Sequence, residues 1–533
     1  MTLRTNYLQM KKEIYLVFLI LTLTIGNGIG QITSLIRGPY LQLSTENSVY
    51  IRWRTDSVWD TKVNYGSSPD NLPAIVYNDS AVKEHIIQLT GLLNNTKYYY
   101  SIGSGTTPLQ GDSSNYFWTH PPVGSTSPVR IWAIGDAGTN LPEQNRVRDA
   151  YYNYTGDTYT NVWLMLGDNA YPYGEDSDYQ VNVFNNHYES MLKKTTAWTT
   201  AGNHEMYSSD AFAQTGPYFE IFTLPKNGEA GGISSLTEAY YSFNYANIHF
   251  ACLESTTDSF RAAESNMLNW LKSDLAANTQ HWTIVYFHHP PYSKGSHDSD
   301  TDMKLIEMRQ NIVPVLESYG VDLVLTGHDH TYTRSHLIKG HFGLENTYDT
   351  TMLVNTGSEI LSGKYFKSPP SYLGTVYVVC GVSGDAHHRT SPLWPHNAMH
   401  YSTNIQHGSM VIDVVNDTLN GKFLNDSNII SDQFTIVKHS FTSTSEFSEK
   451  YSHLKIFPNP AKSTITMQFT LSIKTDLVLR ITNGMGQLIY MRELKKIAGE
   501  YNETIELSNY SRGIYFVEMI TEKEHIYIKA VLN

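Results

Sequence analysis

The residues best able to do chemistry in this sequence fall in five short clusters, each after an apolar run: Gly135-Asp136-Ala137-Gly138, Gly167-Asp168-Asn169-Ala170-Tyr171, Gly202-Asn203-His204-Glu205, His288-His289-Pro290-Pro291-Tyr292 and Gly327-His328-Asp329-His330. Together they offer Asp136, Asp168, Tyr171, Asn203, His288, His328 and His330, a set of oxygen and imidazole donors without a thiolate. Such donors suit iron, zinc or manganese rather than Cu(I) or an iron–sulfur cluster. The set is too large for one tetrahedral ion and predicts two ions about 3.5–4 Å apart that share a bridging carboxylate. Two cations so placed neutralise negative charge that develops on a bound substrate. They also acidify a bound water, which gives a hydroxide nucleophile. Taken singly the clusters say less, because a Gly-Asp at a strand end is usually a turn and a lone histidine is usually just hydrogen-bonded. Their joint recurrence after buried runs is what points to a dinuclear centre.

Elements that could position these residues are legible around them. The runs Arg130–Ile134, Val162–Leu166, Trp282–Phe287 and Val321–Leu325 read as buried strands. Glu264–Ala277 and Leu305–Ser318 each place apolar residues on one helical face. Alternating strands and helices predict a layered α/β domain, here residues 128–438. In such sheets ligands bind beyond the carboxyl ends of the strands, so the five clusters are expected on one rim, with the glycine before each ligand letting the backbone turn. Before this domain, residues 32–122 carry short strands with period-two alternation: Val49, Ile51 and Trp53 face one way, Tyr50, Arg52 and Arg54 the other. That predicts an all-β sandwich of the fibronectin type III kind. Residues 121–128 read as a first linker and the Ser/Thr/Glu-rich stretch 439–452 as a second. Residues 453–533 read as a small C-terminal β-sandwich, with turns at Asn483-Gly484 and Ser511-Arg512-Gly513.

The order GDAG, GDNAY, GNHE, HHPPY, GHDH resembles the purple acid phosphatases of the calcineurin-like metallophosphoesterase superfamily, over about residues 35–437. The resemblance implies that Asp136, Asp168, Tyr171 and His330 hold one ion, Fe(III), and that Asp168, Asn203, His288 and His328 hold a divalent one, Fe, Zn or Mn, with Asp168 bridging. It implies a phosphatase acting on phosphate monoesters, in which His204 and His297 orient phosphate or protonate the leaving group. A diesterase or nucleotidase on the same site is the alternative. This chain departs from the plant members at Asp298, where they have a second histidine, and at His289, where a small polar residue is usual. His289 is expected to be packed or hydrogen-bonded, and His387, His388, His396, His400 and His407 to be surface or loop residues. The segments Lys455-Ile456-Phe457-Pro458-Asn459-Pro460 and Gly513-Ile514-Tyr515-Phe516-Val517 resemble the C-terminal sorting domain of type IX secretion in Bacteroidetes. That implies passage through the outer membrane.

The bulk properties agree with an exported enzyme and exclude some other classes. A net charge of −13 without a basic cluster argues against nucleic-acid binding, and nothing in the sequence fixes an oligomeric state. Residues 1–30 read as a signal peptide: Lys11 and Lys12 precede an apolar run from Ile14 to Ile25 and then small residues. The run is shorter than the about 20 residues of a membrane span. Two cysteines, Cys252 and Cys380, sit in apolar strand-like runs and are expected to be buried free thiols, with a single disulfide as the alternative.

Overall fold

The computed structural model describes residues 34–438 and 451–533, apart from 106, 356–363, 368–371, 387–389, 484–487 and 522–524. The signal-like segment, most of the second linker, and His387 and His388 therefore lie outside the described residues.

The N-terminal unit is all β. Its strands Leu35–Gln42, Val49–Gly66, Ala74–Leu89, Lys97–Ser104, Thr107–Gln110 and Tyr116–Trp118 form one six-stranded hydrogen-bonded set. Val49, Ile51 and Trp53 are each 0% exposed, as the alternation requires. The opposite face is only partly open to solvent: Tyr50 and Arg54 are half-buried. Arg52 is buried and donates to Thr223 Oγ1 (2.9 Å) and to the Glu220 carbonyl, while Arg37 and Arg54 both bind the Asp176 carboxylate. The outward arginines thus clamp this unit to the central domain.

The central domain is built on two seven-stranded sheets. In one, Val129–Ile134, Val162–Met165 and Ala197–Thr199 lie side by side and parallel. In the other, Ile248–Cys252, Trp282–Tyr286, Leu323–Thr326 and Val376–Cys380 do the same. These strands are short and almost wholly apolar because both faces are covered. The sheets share one core, with cross-sheet ring stacks between Trp198 and Phe243 and between Tyr332 and Phe423, both at 3.8 Å. The predicted helix at 264–277 forms over Asn266–Ala277, capped by Ser265, whose hydroxyl accepts from Leu268 N at 3.1 Å. The predicted helix at 305–318 is interrupted: Met303–Glu307 and Val313–Ser318 flank a π-turn at Met308–Ile312. Pro314 is the physical reason, since it has no N–H to give the turn before it. Cys252 and Cys380 are buried and unpaired.

The C-terminal unit has five strands, Tyr451–Phe457, Thr464–Asn483, Leu488–Glu506, Gly513–Thr521 and His525–Leu532, around a core that includes Ile465, Phe469, Leu479, Ile481, Val517 and Met519. Among the described residues, no helix is long and apolar enough to cross a membrane.

Candidate metal centre

Each of the two sheets supplies half of one rim. The loops after Val129–Ile134, Val162–Met165 and Ala197–Thr199 carry Asp136, Asp168 and Asn203; those after Trp282–Tyr286 and Leu323–Thr326 carry His288, His328 and His330. The sharp turn falls on the functional residues themselves, since Asp136, Asp168 and His328 have φ of 55°, 51° and 67°. Left-handed backbone at a non-glycine residue costs on the order of 1–3 kcal/mol and persists where the surroundings enforce it. The preceding glycines mainly allow close approach. A Cβ at Gly202 would lie 2.2 Å from Asp168 Oδ1, and one at Gly327 2.4 Å from Asp136 Oδ2. The expectation that glycine supplies the turn holds at Gly167, with φ of 91°.

The Tyr171 phenol oxygen is the meeting point of three other groups. It lies 3.2 Å from Asp136 Oδ1, 3.2 Å from Asp168 Oδ2 and 3.1 Å from His330 Nε2. The same Asp168 Oδ2 lies 3.3 Å from His288 Nε2, which is 3.2 Å from Asn203 Oδ1. The His328 ring is 5.0 Å from that of His288. The structure therefore brings all seven residues together, with Asp168 between two groups of them.

The electrostatics fit cations. Among the described residues neither Asp136 nor Asp168 pairs with a lysine or arginine; their charged neighbours are His288, His330 and His204. Burial would raise the Asp168 carboxyl, but His288 and then His204 outweigh it and hold it below its ordinary range. Burial would lower His288, but Asp168 and Asp136 lift it to about 9. Burial, then Asp168 and Asp136, push the Tyr171 phenol well above its ordinary range, so a phenolate here requires added positive charge. Burial lowers His328 to about 4, and its Nε2 is buried without a hydrogen-bond partner. A neutral imidazole with an unsatisfied ring nitrogen is what a metal ligand requires.

Two further histidines line the rim. His204 packs on the Tyr171 ring at 4.3 Å, its Nδ1 2.6 Å from the Pro172 carbonyl oxygen and its Nε2 3.9 Å from Asp168. His297 lies on the opposite side, its ring 3.9 Å from that of His328. His289 is buried, with Nδ1 2.9 Å from Ser255 Oγ, so it is packed and hydrogen-bonded as expected. Asp298 does not face the rim: it accepts from Lys294 Nζ (2.6 Å) and Ser391 Oγ (3.2 Å). His396 is a correction to the surface reading, being 1% exposed against Tyr292 and His341.

Sequence reasoning missed the carboxylates that hold these loops. Glu205 accepts from the backbone N–H groups of Asp168, Asn169, Ala170 and Gly202, tying the second and third clusters together. Asp329 accepts from Gly295 N, Ser296 N and Ser293 Oγ and fixes the loop that carries His297. Both stand inside the motifs, so proximity to the ligands was the available signal. Asp302 stands outside every motif, yet its Oδ2 is 3.5 Å from His297 Nδ1 and 4.0 Å from His328 Nε2.

Two regions of the chain match known families. Residues 129–332 match the calcineurin-like phosphoesterase family, and residues 455–533 the secretion system C-terminal sorting domain. Purple acid phosphatase 15 of Arabidopsis thaliana is 29% identical over 275 residues, covering 48% of this chain and 50% of that protein. Purple acid phosphatase 18 of the same plant is 28% identical over 313 residues, covering 56% and 65%. The chain thus spans about half to two-thirds of the length of these relatives. In fold, the chain is similar to the purple acid phosphatase isolated from yellow lupin seeds, with a TM-score of 0.60 at 17% identity over 75% of both chains. The central domain is therefore a calcineurin-like phosphoesterase domain with purple acid phosphatase homologues, and the chain ends in a secretion sorting domain.

Proposed function

We propose that this chain is an exported phosphoric-ester hydrolase that cleaves phosphate monoesters with a pair of metal ions. The observation that supports it most is the convergence of Asp136, Asp168 and His330 on the Tyr171 phenol beside His288, with no lysine or arginine paired to either carboxylate among the described residues. In this reading Asp136, Asp168, Tyr171 and His330 hold Fe(III), while Asp168, Asn203, His288 and His328 hold a divalent ion, Fe, Zn or Mn. When bound, the ions supply Lewis-acid neutralisation of the phosphate and an acidified water. His204 and His297, on the Tyr171 and His328 sides of the rim, hold the phosphate and deliver a proton to the leaving oxygen. Glu205 and Asp329 keep the loops in place. The sorting domain hands the chain to the type IX secretion machinery, so substrate is met at the cell surface or outside.

The test is one preparation read three ways: metal content, visible spectrum and hydrolysis of p-nitrophenyl phosphate. About two metals per chain, turnover, and a purple tyrosinate–iron band that disappears in Tyr171→Phe are expected. Colourless protein with two metals and turnover removes the ferric–tyrosinate assignment and keeps the hydrolase. Protein that stays metal-free and inert after addition of iron, zinc and manganese refutes the proposal. Faster turnover of bis(p-nitrophenyl) phosphate than of the monoester moves the assignment to a diesterase.

A further inference from the structure

We infer that Asp302 is the positioning residue for His297, holding its imidazole over the rim with Nε2 turned toward the substrate; the inference rests on the phosphatase reading above. Asp302 is the N-cap of the helix Met303–Glu307, and its Oδ1 accepts from Lys304 N at 3.0 Å. That bond leaves the carboxylate little freedom to swing. The other oxygen, Oδ2, is aimed at the rim, 3.5 Å from His297 Nδ1 and 4.0 Å from His328 Nε2.

His297 needs such a partner. Its side chain is 39% exposed, on a loop, and an imidazole so placed would otherwise sample several rotamers. Three contacts from two elements hold it. The His328 ring packs against one face, with centroids 3.9 Å apart and planes at 34°. Asp329 fixes the loop before it through Gly295 N at 3.0 Å and Ser296 N at 2.8 Å. Asp302 meets Nδ1, so Nε2 is the nitrogen left for a substrate oxygen. A base or acid oriented by a third group is a recurring device of hydrolytic sites, and the carboxylate also fixes which ring nitrogen carries the proton. His204 on the other side is held differently, by the backbone carbonyl of Pro172 at 2.6 Å. A neutral carbonyl orients one histidine and a carboxylate the other, so the two are not interchangeable.

The experiment uses the full chain loaded with iron and zinc, as wild type, His297→Ala, Asp302→Asn and the double variant. Asn keeps an oxygen for the helix cap and removes the charge facing His297, and circular dichroism confirms folding. Two esters are compared: p-nitrophenyl phosphate, whose leaving group departs without a proton, and β-glycerophosphate, whose alkoxide needs one. His297→Ala is expected to lower kcat on β-glycerophosphate about 100-fold, the usual size of a lost proton donor, with a much smaller effect on p-nitrophenyl phosphate. Asp302→Asn is expected to show the same split at about tenfold, as outer partners of functional histidines do, with KM little changed and two metals retained. Added to His297→Ala, it is expected to cost nothing more. Equal losses on both esters, a loss additive with His297→Ala, or the departure of one metal each overturns the positioning role, the last making Asp302 a ligand instead. Wild-type protein that turns over neither ester defeats the phosphatase reading itself, a result distinct from a failure of Asp302 alone.

Discussion

The strand Leu323–Thr326 joins two buried charge clusters of opposite character. At its start, Asp322 is fully buried and lies 2.7 Å from both Lys367 Nζ and Lys438 Nζ, while the N–H of Thr283 donates to it at 2.9 Å. Burial would raise its carboxyl, but Lys367 and Lys438 outweigh that and hold it below its ordinary range. Beyond its far end, His328 and His330 join Asp136, Asp168 and Tyr171, and among the described residues no lysine or arginine is paired to either of those carboxylates. The physics is the same at both ends. A buried carboxylate carries a desolvation penalty of several kcal/mol unless a positive charge stands beside it. At one end the chain supplies that charge from its own lysines, and the cluster is closed. At the other it supplies imidazoles, which hold Asp168 down when protonated and can ligate a cation when neutral. The difference lies in the cations beside the carboxylates: lysines, which only pair, at one end, and imidazoles, which can also ligate, at the other.

Removing one carboxylate from each end is the strongest way to break this comparison. At the rim, Asp168→Asn takes away the group that the proposed function shares between both sets of donors. We expect metal content to fall and kcat on p-nitrophenyl phosphate to drop by at least about 10³-fold, the upper range for loss of one electrostatic contact in a water-excluded site. The fold is expected to survive, since no lysine is left stranded. Retention of two metals and near-wild-type turnover would remove the rim from its proposed role. At the closed end, Asp322→Asn leaves two ammonium groups facing a neutral amide. Breaking a buried pair in this way costs about 3–5 kcal/mol, so a marked fall in the urea midpoint is expected, with undiminished activity per folded, metal-loaded molecule. If Asp322→Asn instead lost metal, the two ends would be coupled and the distinction would fail.

How far each end was visible in the sequence follows from the same contrast. The rim was legible because each candidate ligand stands shortly after a run such as Val162–Leu166, where a change from apolar to Gly-plus-polar marks a strand end, and the proposed chemistry is local to the motif. Asp322 stands inside the run Val321–Leu325, and nothing near it names its partners, since Lys367 and Lys438 are brought to it only by the tertiary fold. Asp302 was hidden for the same reason, reaching His297 from a helix cap outside the motifs. The burial of Arg52 was missed because alternation along Val49–Arg54 tells which residues share a face and not what covers that face. The left-handed backbone at Asp136 and Asp168 was equally invisible, because aspartate does not mark it and the Gly202 and Gly327 backbone packed against those carboxylates comes from distant loops. The break in the helix at 303–318 had a sequence cause in Pro314, which the apolar periodicity masked.

A smaller effect sharpens the comparison within the closed end. Glu317 is also buried, but its close partners are neutral donors, the Tyr377 hydroxyl at 2.9 Å and Gly340 N at 2.7 Å. Burial therefore wins and raises its carboxyl from 4.5 to about 7, with only partial relief from those donors and from more distant Lys339 and Lys367. The sign follows from linkage. With a folded-state pKa above the unfolded one, the contribution of Glu317 is fully present below about pH 4.5 and is lost as pH rises through about 7, where ionised Glu317 must be kept dry. The full swing is on the order of 3 kcal/mol. Wild type and Glu317→Gln compared by thermal unfolding at pH 5 and pH 8 isolate it, because every other titrating group is common to both. We expect the variant to gain on wild type as pH rises, with the gap opening between those two values. A constant gap would mean that Glu317 stays ionised throughout, and that the lysines serving Asp322 serve Glu317 as well.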